Sequence, residues 1–345
     1  MNKPTRHTRQ AGFTLVELMV SMVIGLLIVL ALITLLINVT RNNSEMAKTN
    51  RQIENGRFAI QLLQNDVSHA GFWGDLDYTV TPALSFATPA AIPAPCVVSG
   101  WTSADKDNLL AIPVQGYANG SALSGCGVSA VLVNSDVLAV RHANTCTAGT
   151  TNCDGGTDTG PHIQVSNCRI GAPPEATYVI DSATFPLKEK DCTTIASRRK
   201  VVTNIYYLAA SNNLPTLMRI HLVNGAYSTP QPLIEGIEAF RVEYGIDSLG
   251  QDGSADEFKT SSEMAGAPIG LCTLSGTACY LAANVVAVKI HVLARNLEAT
   301  PGYTDSKSYQ LGATAAIAAA NDGFKRHVYS TTVRLVNPSG RRETP

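Results

Sequence analysis

The chain has 345 residues, 15% of them charged, with 26 Lys and Arg against 27 Asp and Glu for a formal charge of −1. That length suffices for one large core or two small ones, and the balanced charge excludes the basic surplus of a chain built to hold nucleic acid. Sparse charge beside abundant Gly, Ser, Thr, Asn and Ala fits an exported, β-rich domain.

Residues 1–12 form a leader with Lys3, Arg6, His7 and Arg9 and no acid, which the positive-inside rule keeps in the cytoplasm. From Phe13 to Ile37 the only formally charged side chain is Glu17, and Leu18 to Ile37 are twenty uncharged, mostly apolar residues. At about 1.5 Å per residue they span a hydrocarbon core of about 30 Å, with the rest of the chain on the periplasmic side. A secretory signal has its cleavage site after the apolar run. Here the Gly12-Phe13 junction precedes it, so a cut there removes the leader and leaves the anchor. Glu17 costs about 2.5–3.5 kcal/mol at mid-bilayer and less near an interface. It needs a cation, and the α-amino group of Phe13 freed on a neighbouring subunit supplies one. Ser21 and Gly25 make a small-xxx-small pair that allows close helix approach.

No proline stands between Pro4 and Pro82, and residues 38–71 read as a continuation of the same helix outside the membrane. Met46, Ile53, Ile60 and Val67 recur every seven residues, with Leu63 and Ala70 adjoining, as one apolar stripe flanked by Arg41, Lys48, Arg51 and Arg57. Gly56 weakens that helix by about 1 kcal/mol relative to Ala, and Gly71 ends it.

The region 72–200 is rich in Pro, Gly and Thr and holds Cys96, Cys126, Cys146, Cys153, Cys168 and Cys192; Cys272 and Cys279 follow. An even number of cysteines beyond the span favours periplasmic disulfides. Pairing of sequence neighbours is the expectation, with Cys146–Cys153 and Cys272–Cys279 as local loops. Their spacings and seven scattered histidines do not fit structural zinc. Strand candidates are Asp136–His142, Val201–Ala209 and Thr216–Val223. Three more follow in 201–345: Glu238–Ile246, with Phe240, Val242, Tyr244 and Ile246 opposite Arg241 and Glu243; Val286 to Val292; and Tyr329 to Leu335. The expected fold is α+β, a long N-terminal helix, half transmembrane, packed on one antiparallel sheet with a disulfide-rich insertion.

Catalytic patterns are missing: no Gly-x-Ser-x-Gly, His-Glu-x-x-His or phosphate-binding glycine loop occurs. His221 and His291 read as solvated residues on polar strand faces, and His69 as a partner for the helix C-terminus. No cofactor is expected. Asp247, Asp252 and Asp256 are weak metal candidates around Gly250 and Gly253, and an acidic turn explains them better.

Ala11-Gly12-Phe13-Thr14-Leu15-Val16-Glu17, ahead of a clean spanning segment, closely resembles the class III signal of type IV prepilins and pseudopilins. The resemblance implies that a dedicated prepilin peptidase cuts after Gly12 and N-methylates Phe13. It also implies that Glu17, fifth in the mature chain, pairs with a neighbour's amino terminus during filament assembly. Gln52–Leu63, Asp66, Ala70–Gly74, Ile234–Asp247, Val288–Arg295 and Arg326–Asn337 resemble the PilW family of minor pilins. That implies a pilin-like, non-catalytic subunit of the fimbrium that helps initiate type IV pilus assembly and so supports twitching motility, adhesion and DNA uptake. Its implied partners are the other minor pilins, the major pilin, the prepilin peptidase and the inner-membrane assembly platform; nucleic acid is not directly indicated. It would sit in the inner membrane before assembly and near the pilus tip afterwards. The alternatives are a pseudopilin of a type II secretion system, or a tip receptor binding through the Cys-rich region, marked by an exposed patch around Trp101.

Overall fold

The structure is a computed structural model that describes residues 12–76, 89, 91–117, 123, 125–128, 130–151, 153, 158–168, 177–248, 252–264 and 281–343. Two compact units divide the chain, Met1–Asn50 and Arg51–Pro345. Helix α1, Leu15–Ser68, runs through both. In the first unit it is long and apolar enough to cross a membrane, and every side chain from Leu18 to Ile37 is exposed. The hydroxyls there bond back to the helix, Ser21 Oγ to Leu18 O at 2.9 Å and Thr34 Oγ1 to Ala31 O at 2.8 Å. They therefore add little polarity to an apolar surface.

The second unit follows in order. Helix α2 is Ser103–Ala111, capped by a reciprocal Thr102–Asp105 box. Strands β1 (Val114–Tyr117), β2 (Val137–Ala143), β3 (His162–Val165), β4 (Tyr178–Asp181), β5 (Arg198–Ser211), β6 (Leu214–Val223), β7 (Ala226–Tyr227) and β8 (Gln231–Glu235) form one sheet. The second sheet has the order β10-β9-β11-β12. Its strands are β9 (Ile237–Ile246), β10 (Glu257–Thr260), β11 (Val285–Arg295) and β12 (Arg326–Arg334). Short helices α3 (Ser261–Met264) and α4 (Val336–Glu343) follow β10 and β12. Where one antiparallel sheet is expected from the sequence, two form. The expected strands divide between them, three in each.

Local chemistry sets the hairpins. Asn212 and Asn213 (φ 49° and 62°) make the β5–β6 turn, and Asn224-Gly225 (φ 49° and 73°) the β6–β7 turn. Both are two-residue loops that need left-handed backbone at each position. Strand β5 crosses the 200/201 boundary, so the Cys-rich region and the C-terminal region contribute strands to one sheet.

The main core joins both sheets to α1 through Ala59, Leu63, Val67, Ala70, Tyr206, Phe240, Val242, Tyr244, Val288 and Ile290. The helical stripe differs from the heptad expected. Gln52, Gly56, Ala59, Leu63 and Val67 are buried, while Ile53 is 41% exposed, Met46 64% exposed and Ile60 half-buried. An α-helix drifts about 20° per heptad from a strict seven-residue repeat, and a lone helix on a sheet follows its own 3.6 period. Gly56 belongs to that stripe because a Cβ there would fall on the ring of Tyr329. Gln52 belongs because its Nε2 donates to Ala294 O and Lys325 O at 2.8 and 3.0 Å.

On β11 the alternation also shifts: an irregularity between Val285 and Ala287 puts Val285, in place of Val286, into the main core. Leu335 lies past the end of β12 and leads into α4, where the sequence reads as strand.

Candidate functional site

Gly12, Phe13 and Thr14 precede α1, and Phe13 is 84% exposed. Thr14 is the helix cap. Glu17 N donates to Thr14 Oγ1 at 3.3 Å, and Glu17 Oε2 accepts from Thr14 N and Thr14 Oγ1, each at 3.1 Å. This is a reciprocal capping box, which satisfies two of the donors a helix start leaves open. The Thr-x-x-Glu spacing that announces it is plain in the sequence, where Glu17 reads only as a carboxylate awaiting an outside cation. Among the described residues Oε1 takes no hydrogen bond. Residues 1–11, with the basic leader, lie outside the described residues. Nothing lies within 4 Å of where a Cβ on Gly25 would stand, so the small-residue notch is open.

In the second unit the end of α1 is tied to the eight-stranded sheet by polar side chains. Asp66 is the principal tie: its Oδ1 meets His142 Nε2 at 3.2 Å and Asn204 Nδ2 at 3.0 Å, and its Oδ2 accepts from Tyr206 Oη at 3.0 Å. Burial works against charge on His142, yet the hydrogen bond and charge of Asp66 outweigh it and set the imidazole above its ordinary value. His69 Nδ1 reaches Asn65 O at 2.7 Å, the expected contact with a helix-end carbonyl.

His291 is not solvated as its place on a polar face suggests. It sits between Glu243 Oε2 (3.1 Å) and Ser330 Oγ (2.8 Å), 11% exposed, because Glu243 Oε1 also accepts from Ala313 N at 2.6 Å and draws the β11–β12 connection over the sheet. Arg326 fixes the same connection, bonding Glu238, Asp305 and Asp322 while 2% exposed. His221 bonds Ser228 Oγ at 3.1 Å, and burial lowers its pKa.

The carboxylates of the acidic turn bond within the fold, except that Asp247 Oδ1 is buried without a hydrogen bond among the described residues. Asp247 Oδ2 accepts from Gly253 N at 3.0 Å and pairs with Arg342 at 3.2 Å. Asp252 Oδ1 accepts from Ser254 N and Asp256 Oδ2 from Ser248 N. No group of three possible metal ligands occurs among the described residues. Three disulfides join Cys96–Cys126, Cys146–Cys153 and Cys168–Cys192, while Cys272 and Cys279 lie outside the described residues. Trp101 donates its indole N–H to Val97 O at 3.1 Å and packs against the smaller core around Trp73 and Leu110. It is half-buried.

Two family models match the chain. The prokaryotic N-terminal methylation motif matches residues 7–36, over the capping box and the apolar helix. Type IV Pilus-assembly protein W matches residues 205–337, from within β5 to the start of α4. Together the two matches support a type IV pilus minor pilin of the PilW family. No curated protein and no solved structure matches it. The helix end at 52–74 and the three disulfides among the described residues fall between the two matched spans.

Proposed function

We propose that this minor pilin acts by association alone, as a subunit of the complex that starts pilus growth. The prepilin peptidase cuts after Gly12 and N-methylates Phe13. Glu17, held toward the helix start by Thr14, offers its remaining oxygen to the Phe13 amine of a neighbouring subunit while the apolar helices pack together. The head stays in the periplasm, where disulfides persist, and passes to the pilus tip as the filament grows. Its contacts are with the other minor pilins, the major pilin and the assembly platform of the inner membrane. Twitching, adhesion and DNA uptake depend on it through the filament it helps to start.

The observation that carries this reading is the Thr14–Glu17 box at the start of an exposed apolar helix, on a chain whose C-terminal sheet matches a pilus-assembly family. Substituting Glu17→Val tests it. Intact mass should show the leader removed as in the wild type, while incorporation into pili is lost. Normal piliation by that variant would contradict the pairing role, and a retained leader would contradict the separation of processing from assembly. Replacing Gly12 by a bulky residue should leave the leader attached.

A further inference from the structure

Strand β12 ends the four-stranded sheet, and among the described residues no strand lies on its far side. Two bonds beyond its ends show which main-chain groups face outward. Leu335 N donates to Val286 O, and Asn296 N donates to Lys325 O, so Leu335 and Lys325 turn their main chain toward β11. In an antiparallel ladder that direction alternates residue by residue, and the β11–β12 register is unbroken. Residues 327, 329, 331 and 333 therefore bond to β11. Arg326, Val328, Ser330, Thr332 and Arg334 turn their N–H and C=O groups away, and among the described residues these make no main-chain bond outside the ladder.

Such an edge is a template for another strand. Nine residues is long for one, and β12 has no proline and no bulge; its charges stand at the two ends, with Val328, Tyr329, Thr331, Thr332 and Val333 between them all suited to a strand. His327, Ser330, Thr332 and Arg334 are exposed along it. Tyr329 seats on Gly56 of α1, so whatever pairs with this edge is held in register with the helix. A second copy is a poor occupant. Antiparallel self-pairing about Ser330 sets opposite each Arg334 the other copy's Arg326, which is already bound to Glu238, Asp305 and Asp322, so the second strand brings Arg334 no carboxylate of its own. Between Phe324 and Asn337 there is no carboxylate, only Lys325, Arg326, His327 and Arg334.

We propose that β12 receives an extended, acidic-ended strand from the head of a different pilin subunit. Arg326 is committed to its own carboxylates, so Arg334 is the charge that selects an acidic end of the partner, and the exposed His327 ring marks the other end of the edge. Arg334 pairs with Glu343, both about half exposed, a tie that a partner carboxylate can replace, and His327 lies edge-on to the Tyr329 ring. This proposal rests on the assembly reading.

The test uses the full chain, co-expressed with the other pilin subunits and purified from membranes in detergent. Thr332→Pro removes an outward N–H and leaves the β11 ladder its bonds, an edge position that proline can occupy. It should melt as the wild type does and lose the co-purifying subunit. Hydrogen exchange on the wild type gives an independent reading. The amides of Val328, Ser330, Thr332 and Arg334 should exchange quickly in the isolated chain and slowly in the complex. A Thr332→Pro chain that keeps its partner overturns the proposal. So do outward amides that stay fast in an intact complex, or that are protected in the isolated chain. If the wild type co-purifies with no pilin at all, the assembly reading fails first and this one with it.

Discussion

His142 shows how one residue fixes the sense of a pH dependence. Its Nε2 faces the Asp66 carboxylate and its Nδ1 faces Ala143 O at 2.8 Å. Both partners are acceptors, so only the doubly protonated ring satisfies both. The folded-state pKa accordingly lies above the ordinary value. A raised histidine pKa contributes stability that is complete below the unfolded pKa of about 6.5 and is lost as pH rises through the folded value. Hydrogen bonds to a charged group contribute about 1.5–3 kcal/mol. Thermal melts of wild type and His142→Gln should therefore differ most below the unfolded pKa of about 6.5 and converge as pH rises through the folded value. A gap that is constant or widens with rising pH would show that the ring is held neutral. Glu17 makes a related point at the other end of α1: one carboxylate serves its own helix start through Thr14 and keeps an oxygen for an outside cation.

Elements meet through particular notches, and the seat of α1 on β12 is one that can be tested by itself. A methyl group at Gly56 gains about 1 kcal/mol of helix propensity over glycine, yet it would collide with Tyr329, and overpacking costs about 1–3 kcal/mol. Gly56→Ala should thus lower the urea midpoint, and Gly56→Ala with Tyr329→Ala should show a favourable coupling in a double-mutant cycle. Additive effects would mean that the ring moves aside freely. Sequence periodicity places this helix and the long strands well, because β2, β5, β6, β9 and β11 carry alternating or continuous apolar residues. It misses β1, β3 and β4, four residues each, since so short a run carries no period. The heptad reading of 46–67 fails for another reason. Gln52 and Gly56 are polar or bare in sequence, and only their distant partners, Ala294, Lys325 and Tyr329, make them buried positions. The polar ties at Asp66, His291 and Arg326 are illegible for the same reason: each joins residues far apart in the chain. The Thr14–Glu17 box is local and its spacing stands in the sequence, although Glu17 reads there only as a carboxylate in need of an outside cation.

For the whole molecule, the assembly reading makes a prediction about competition between rates. A chain that works only by association changes how fast filaments start. Without it, the first subunits must leave the membrane unaided, and a carboxylate such as Glu17 must find its cation without a prepared neighbour. Starting then becomes slow but does not become impossible, while the retraction motor continues to remove whatever forms. Deleting the gene should abolish surface filaments when the motor is active and restore them in part when the motor is disabled. Electron microscopy of both strains, scored as filaments per cell, separates the outcomes. Partial restoration requires that extension still works without this chain, which makes it a starter and not a structural repeat of the shaft. Filaments absent in both strains would make it indispensable to extension itself. Normal filaments in both, with a defect in protein secretion, would place its work in a secretion apparatus, where the same N-terminal signal is also used. Re-expressing the Glu17→Val chain should reproduce the deletion in each background, because the head alone then lacks the pairing that brings it into the starting complex.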